Sequence, residues 1–135
     1  MLGAIAGDII GSPYEWNNTN DRFFELCRGT RGWFRGREVT YHPKFTDDTV
    51  MTLAVARWLM SDKDRNASRL IAIMQSMGRE YIDRGFAPMF KRWLQSEDPR
   101  PNNSYGNGAA MRVSPVAMTA QSLPEAMALA RMTAE

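Results

Sequence analysis

The sequence predicts an all-α domain, and three observations carry that prediction. Apolar residues recur at helical spacing: Met51, Ala54, Val55, Trp58 and Leu59 fall on one helical face, as do Leu70, Ile73, Met74, Met77 and Tyr81. Helix starts are written into the chain, with Thr46 before an acidic pair and with Ser122-Leu123-Pro124-Glu125, a capping box with proline in its first turn. Finally, no convincing run alternates polar and apolar residues with the period of a strand.

Taken in order, residues 2–11 place Leu2, Ile5 and Ile9 on one stripe, with Gly3, Gly7 and Gly11 four apart. Each glycine costs a helix roughly 1 kcal/mol against alanine, which is tolerable where another backbone passes close. The expectation is a buried helix with Asp8 as its one charged member. Residues 12–44 are expected to be a long irregular segment, because Pro13, Asn17, Asn18, Gly29, Gly32, Gly36 and Pro43 break any period. Its aromatics, among them Tyr14, Trp16, Trp33 and Tyr41, argue for a functional loop over a polar linker. A helix opens after Thr46, a second covers about 68–84, and a shorter one about 86–94. Residues 95–108 are polar and turn-rich; a helix begins after Gly108 or near Pro115, and the last opens at Ser122. That last helix reaches Glu135 with no stop signal.

Composition bounds the function. A chain of 135 residues is one domain long, and 44% apolar and 24% charged residues with a net charge of +2 are ordinary globular values. Basic residues are scattered except in the Arg-rich stretch 28–37, so nucleic acid is not an expected partner. Cys27 is the single cysteine, which rules out an intrachain disulfide and a cysteine-held zinc. The start of the chain lacks the basic leader of a signal peptide. Its apolar run, broken by Asp8, is far shorter than the ~20 residues a membrane span needs. No membrane is expected, and the expected compartment is the cytoplasm.

Three stretches could carry chemistry. In Thr46-Asp47-Asp48-Thr49, threonine is a good N-cap and acidic residues complement the helix dipole, so a cap alone accounts for the motif. The alternative is half of a metal site. Neighbouring carboxylates and a hydroxyl at a helix start can meet at one point, and hard cations such as Mg²⁺ take oxygen ligands. In Gly106-Asn107-Gly108-Ala109-Ala110-Met111-Arg112, a glycine-rich turn entering a helix could aim backbone N–H groups at a phosphate, or be a plain turn. Glu15, between Tyr14 and Trp16, could have a raised pKa suited to proton transfer, or be a surface glutamate. The single histidine, His42, lies beside Pro43 without a nucleophile elbow, and no serine-protease chemistry is expected of it.

Together, "GAIAGDIIGSPYEW", "FTDDTVMTLAVA" and "SYGNGAAMRVSPVA" resemble, in order and spacing, the N-terminal motifs of the ADP-ribosylglycohydrolases. The resemblance implies an orthogonal all-α bundle with a two-metal site, usually magnesium and in some members manganese. It implies that Thr46, Asp47 and Asp48 are metal ligands as well as caps. It implies that Ser104, Tyr105, Gly106, Asn107, Gly108, Ala109, Met111 and Arg112 wrap ADP-ribose, the glycines against the diphosphate. Glu15 falls where some members carry an acidic residue near the scissile bond, and Asp8 belongs to the Gly-Asp-x-x-Gly signature as a structural or supporting residue. The implied reaction is metal-dependent hydrolysis of the bond between ADP-ribose and a protein side chain, commonly Arg or Ser, so an ADP-ribosylated protein or small ADP-ribosyl compound is the implied partner.

One departure from the family pattern shapes the expectations. The family domain is roughly twice as long, and its second half carries an Asp-x-Asp-Thr motif that completes the metal site. No match to it occurs within residues 1–135. The chain therefore reads as the N-terminal part of one such domain. It is expected to bind metal weakly, to hydrolyse little, and to self-associate through exposed apolar faces. The rival reading is a non-catalytic ADP-ribose-binding module or a structural remnant.

Overall fold

The computed structural model describes residues 1–15, 30–34, 37–101 and 103–135. Among them it contains the helices α1 (Leu2–Gly11), α2 (Asp47–Ser61), α3 (Ala67–Glu80), α4 (Pro88–Gln95), α5 (Gly108–Met111), α6 (Ser114–Thr119) and α7 (Leu123–Ala134). Between α1 and α2 lies an antiparallel hairpin of β1 (Thr30–Phe34) and β2 (Arg37–Tyr41), in the register Thr30↔Tyr41 to Phe34↔Arg37. The all-α class holds for the packed body. The expected absence of strands does not hold, since part of the segment read as irregular pairs with itself. Cys27, Trp16, Phe23 and Phe24 lie outside the described residues.

The core is built around α2. Met51, Ala54, Val55 and Trp58 are fully buried, as the periodicity requires, and Val50, Thr52 and Ala56 are buried on its other flanks. Leu70, Ile73 and Met74 of α3, Leu94 of α4, Val116 of α6 and Leu129 of α7 complete one cluster around it. Only the stripe Leu53, Arg57 and Met60, with the terminal Ser61, leaves α2 facing solvent. This near-complete burial explains why α2 carries apolar residues on more than one face.

Local signals set the ends. Arg65, at φ 56°, donates Nη1 to the carbonyls of Leu59 and Asp62 and closes α2. Asn66 accepts from the Ser68 and Arg69 amides and opens α3, while Trp58 Nε1 donates to the Asn66 carbonyl and ties the two helices. The expected helix over 68–84 ends earlier, at Glu80. The chain leaves helical space at Tyr81, at φ −116° and ψ 34°, and the turn that follows is held from afar, the Arg84 carbonyl accepting from the Asp47 amide and Gly85 adopting φ +104°. Of the alternative starts, after Gly108 or near Pro115, a helix occurs at each, α5 from Gly108 and α6 from Ser114. The capping box forms: Ser122 Oγ accepts from the Glu125 amide, and the Glu125 carboxylate accepts from the Gln121 amide.

α1 corrects the expectation of a buried helix in a crowded place. It has no buried residue, and a Cβ added at Gly3, Gly7 or Gly11 would meet open space. The helix is held by polar contacts near its C-terminal end: Asp8 bonds the start of α2, and Ser12 Oγ accepts from the Lys44 amide. No described helix is long and apolar enough to cross a membrane.

Candidate functional site

The site is organised by the N-terminus of α2. Thr46 is the N-cap, in extended conformation, and its Oγ1 accepts from the Asp48 amide at 3.4 Å while donating to Asp8 Oδ1 at 2.6 Å. Asp8 Oδ2 accepts from the amides of Thr46 and Thr49 and from Thr49 Oγ1. One carboxylate of α1 thus collects four donors from the first turn of α2. A side chain that accepts so many bonds is holding backbone in place, which fits the supporting role expected of Asp8.

Asp47 and Asp48, anchored this way, face two adjoining cavities. Asp48 shares a cavity of about 440 Å³ with Glu15, Thr46, Asp8, Tyr14 and Asn107. Asp47 lines a second, of about 300 Å³, with Ser104, Gly106, Asn107, Gly108, Ala109, Met111 and Arg112. Asn107 borders both cavities. The three segments singled out in the sequence therefore converge, with α2 and Asn107 as the divide.

The electrostatics of this divide are lopsided. Burial lifts the Asp47 carboxyl to about 6, against the pull of its own backbone N–H, and the carboxylates of Asp48, Glu15 and Asp8 push it the same way. Burial, then Asp8, raises Asp48. Glu15 is raised by partial burial and by Asp48 and Asp8, with Lys44 opposing. Of the two readings of Glu15, the residue is exposed at the surface, and its carboxyl is nonetheless raised by partial loss of solvent and by neighbouring carboxylates; Trp16 is not among the described residues. Carboxylates gathered without equal positive charge are a set that a hard dication would relieve.

Thr46, Asp47 and Asp48 are the residues that could hold such an ion. Among the described residues no three His, Cys, Asp or Glu side chains lie close enough together to hold a metal by themselves. A carboxylate with water completing the shell is an ordinary magnesium environment, so the donors fit by their chemistry, Asp48 beside Thr46 in one cavity and Asp47 in the adjoining one. The Thr46 hydroxyl, already donating to Asp8, has a lone pair left to offer.

The 104–112 segment divides in two. Ser104, Tyr105, Gly106, Asn107 and Ala109 are exposed, and Ser104 Oγ accepts from the Gly106 amide. The helix that follows is one turn long and has little dipole to offer, so the loop's own exposed backbone is what can meet a ligand. Met111 is half-buried, its carbonyl accepting from Thr52 Oγ1. Arg112 is 7% exposed and donates Nε, at 2.9 Å, and Nη2 to the Thr133 carbonyl. Burial lowers its pKa to about 10. It borders the Asp47 cavity while bracing α7, so its main hydrogen bonds are structural. Sequence reasoning missed the turn before α4, where the Arg84 carbonyl and Gly85 back Asp47.

Comparison with known proteins adds a second line. The profile of the ADP-ribosylglycohydrolase family matches residues 1–135. ADP-ribosylhydrolase ARH3 of Homo sapiens is 29% identical over 160 residues, covering 100% of this chain and 42% of the relative. The Mus musculus ARH3 is 28% identical, with 100% and 41% covered, and that of Xenopus tropicalis is 27% identical over 148 residues, with 97% and 41% covered. The chain thus spans about two fifths of the length of these relatives. With a family profile matched from the first residue to the last, the chain belongs to the ADP-ribosylglycohydrolase family.

Proposed function

We propose that this chain carries part of the active site of a metal-dependent hydrolase that cleaves the glycosidic bond between ADP-ribose and a protein side chain. The observation that supports it most directly is the meeting of Glu15 and Asp48 in one cavity, beside Asn107, which also lines the cavity of Asp47 and the 104–109 loop.

In this reading Asp47 and Asp48, with Thr46, hold magnesium or manganese, which when bound would activate and orient a water toward the sugar carbon. The chain's own residues do the rest. Asp8 fixes the first turn of α2, so that both carboxylates keep their directions. The exposed backbone of 104–109 receives the ADP-ribose diphosphate. Glu15, raised by partial loss of solvent and by its acidic neighbours, can exchange a proton near the scissile bond. Charge building on the sugar ring as the bond breaks is stabilised by nearby carboxylates. The products are ADP-ribose and the unmodified side chain. The single cysteine is compatible with a cytoplasmic setting, which we keep as part of the proposal.

The test is calorimetric titration of the chain with ADP-ribose, with and without Mg²⁺, beside an assay of ADP-ribose release from a modified protein. Binding that requires Mg²⁺ and is lost in Asp48→Asn is the expected result, with release far slower than that of a full-length relative. Metal-independent binding would point to a non-catalytic module, and no binding to a structural remnant. Release at the rate of a full-length relative would contradict the view that this chain holds only part of the site.

A further inference from the structure

The short turn between α3 and α4 has no role in the reading above, yet it backs directly onto Asp47. The Arg84 carbonyl accepts from the Asp47 amide at 2.8 Å. Gly85, next in the chain, adopts φ +104°. A Cβ built on Gly85 would lie 3.0 Å from Asp47 Oδ1 and 4.0 Å from its Cγ. The turn is pinned on both sides of the glycine. Arg84 stacks its guanidinium 3.9 Å over the Phe45 ring, Phe45 packs edge-on against Tyr81, and Phe86 is 3% exposed in the core.

We infer that Gly85 is a positioning residue for Asp47: the missing side chain leaves the space in which the Asp47 carboxylate sits, and the pinned turn fixes that space relative to α2. Two independent features demand glycine here, the backbone angle and the contact. A methyl group at this point would push the carboxylate away from the turn, or the turn away from the core. Because Phe45 and Phe86 hold the turn, the carboxylate is the part that yields. The consequence for ion binding rests on the proposal that Asp47 is a ligand; the positioning itself does not.

The experiment uses the chain labelled with ¹³C-aspartate, the Asp47 carboxyl resonance being assigned with Asp47→Asn. Gly85→Ala is expected to move that resonance while leaving those of Asp62 and Asp98 in place. Mn²⁺ titration, followed by water relaxation, is expected to show affinity falling about 10-fold or more in Gly85→Ala, the range seen when a supporting contact to a ligand is lost. In the Asp47→Asn background the same change is expected to cost nothing further. An unmoved Asp47 resonance overturns the inference. So does unchanged Mn²⁺ affinity in Gly85→Ala when Asp47→Asn weakens it. If Asp47→Asn leaves Mn²⁺ binding untouched, the ligand reading fails, and the resonance alone decides the positioning. Should Gly85→Ala not fold, Arg84→Ala keeps the glycine and frees the turn from Phe45. It is expected to move the Asp47 resonance in the same direction, and no movement there overturns the inference as well.

Discussion

Thr49 Oγ1 donates to Asp8 Oδ2 at 2.5 Å, joining α2 to a helix that has no fully buried residue of its own. With the bonds from Thr46, this makes one side chain contribute to both the docking of α1 and the start of α2.

Removing it should therefore be felt twice. Asp8→Ala leaves two amides and two hydroxyls without their acceptor, and bonds to a charged group are worth more than neutral ones. We expect a loss of about 2–4 kcal/mol in urea unfolding, with part of the cost avoided as water reaches the half-buried site. Thr49→Val should cost less, about 1–2 kcal/mol, since Thr46 keeps its bonds. Equal stability of Asp8→Ala and the wild type would remove Asp8 from its central place.

The raised pKa of Asp47 gives stability a defined pH dependence in metal-free buffer. Its folded value, about 6, lies above the ordinary 3.8, so the folded state holds a proton more tightly than the unfolded one. That contribution is fully present below the unfolded pKa and is lost as pH rises through about 6. Asp47 is only half-buried, so after solvent screening the effect is about 1 kcal/mol. Asp47→Asn should be the more stable protein at pH 7.5 and lose that advantage near pH 4. If Asp47→Asn instead shows no gain over the wild type at pH 7.5 without metal, the Asp47 carboxyl is not raised by its burial and its acidic neighbours.

How much of this was legible in sequence follows from which interactions are local. The periodicity of α2 and α3 and the caps at Thr46 and Ser122 depend on neighbours three or four residues away, and they are found as expected. The hairpin was missed although Arg35-Gly36, an X-Gly pair between two runs containing Trp33, Phe34, Val39 and Tyr41, is a recognisable signal. The burial of α1 was misjudged because glycine spacing says that a close approach is possible, not that this chain supplies it. At the site, the carboxylates were visible as a motif. The contact of Gly85 with Asp47 was not, since it joins positions 38 residues apart and depends on how the turn is pinned.

A glycine with the opposite message is Gly78. A Cβ there would lie 2.4 Å from Leu94 Cδ2, and Leu94 is fully buried, so it has little room to retreat. Overpacking of this kind costs about 1–3 kcal/mol, against a gain of about 1 kcal/mol in helix propensity. We expect Gly78→Ala to be less stable by about 1 kcal/mol, and Leu94→Ala by about 2–5 kcal/mol. Combined, the two changes should destabilise less than their sum, because the new methyl group occupies the vacated space. Simple additivity in denaturant melts would mean that α3 and α4 are not in contact at Gly78.

The last prediction concerns the surface. Leu2, Met118, Leu123 and Met127 are 81%, 70%, 73% and 65% exposed, and the Met1 amine donates to Met118 Sδ at 3.3 Å, which brings the start of α1 against α6. Large apolar side chains left exposed favour association when nothing covers them. Light scattering is expected to show mass rising with concentration, and the double substitution Met118→Lys and Met127→Lys should suppress that rise. Both positions are on the surface, so the melting temperature should change little. A wild-type chain that stays monomeric at the highest concentrations reached, or a double variant that associates as before, would show that these side chains are not what brings copies together.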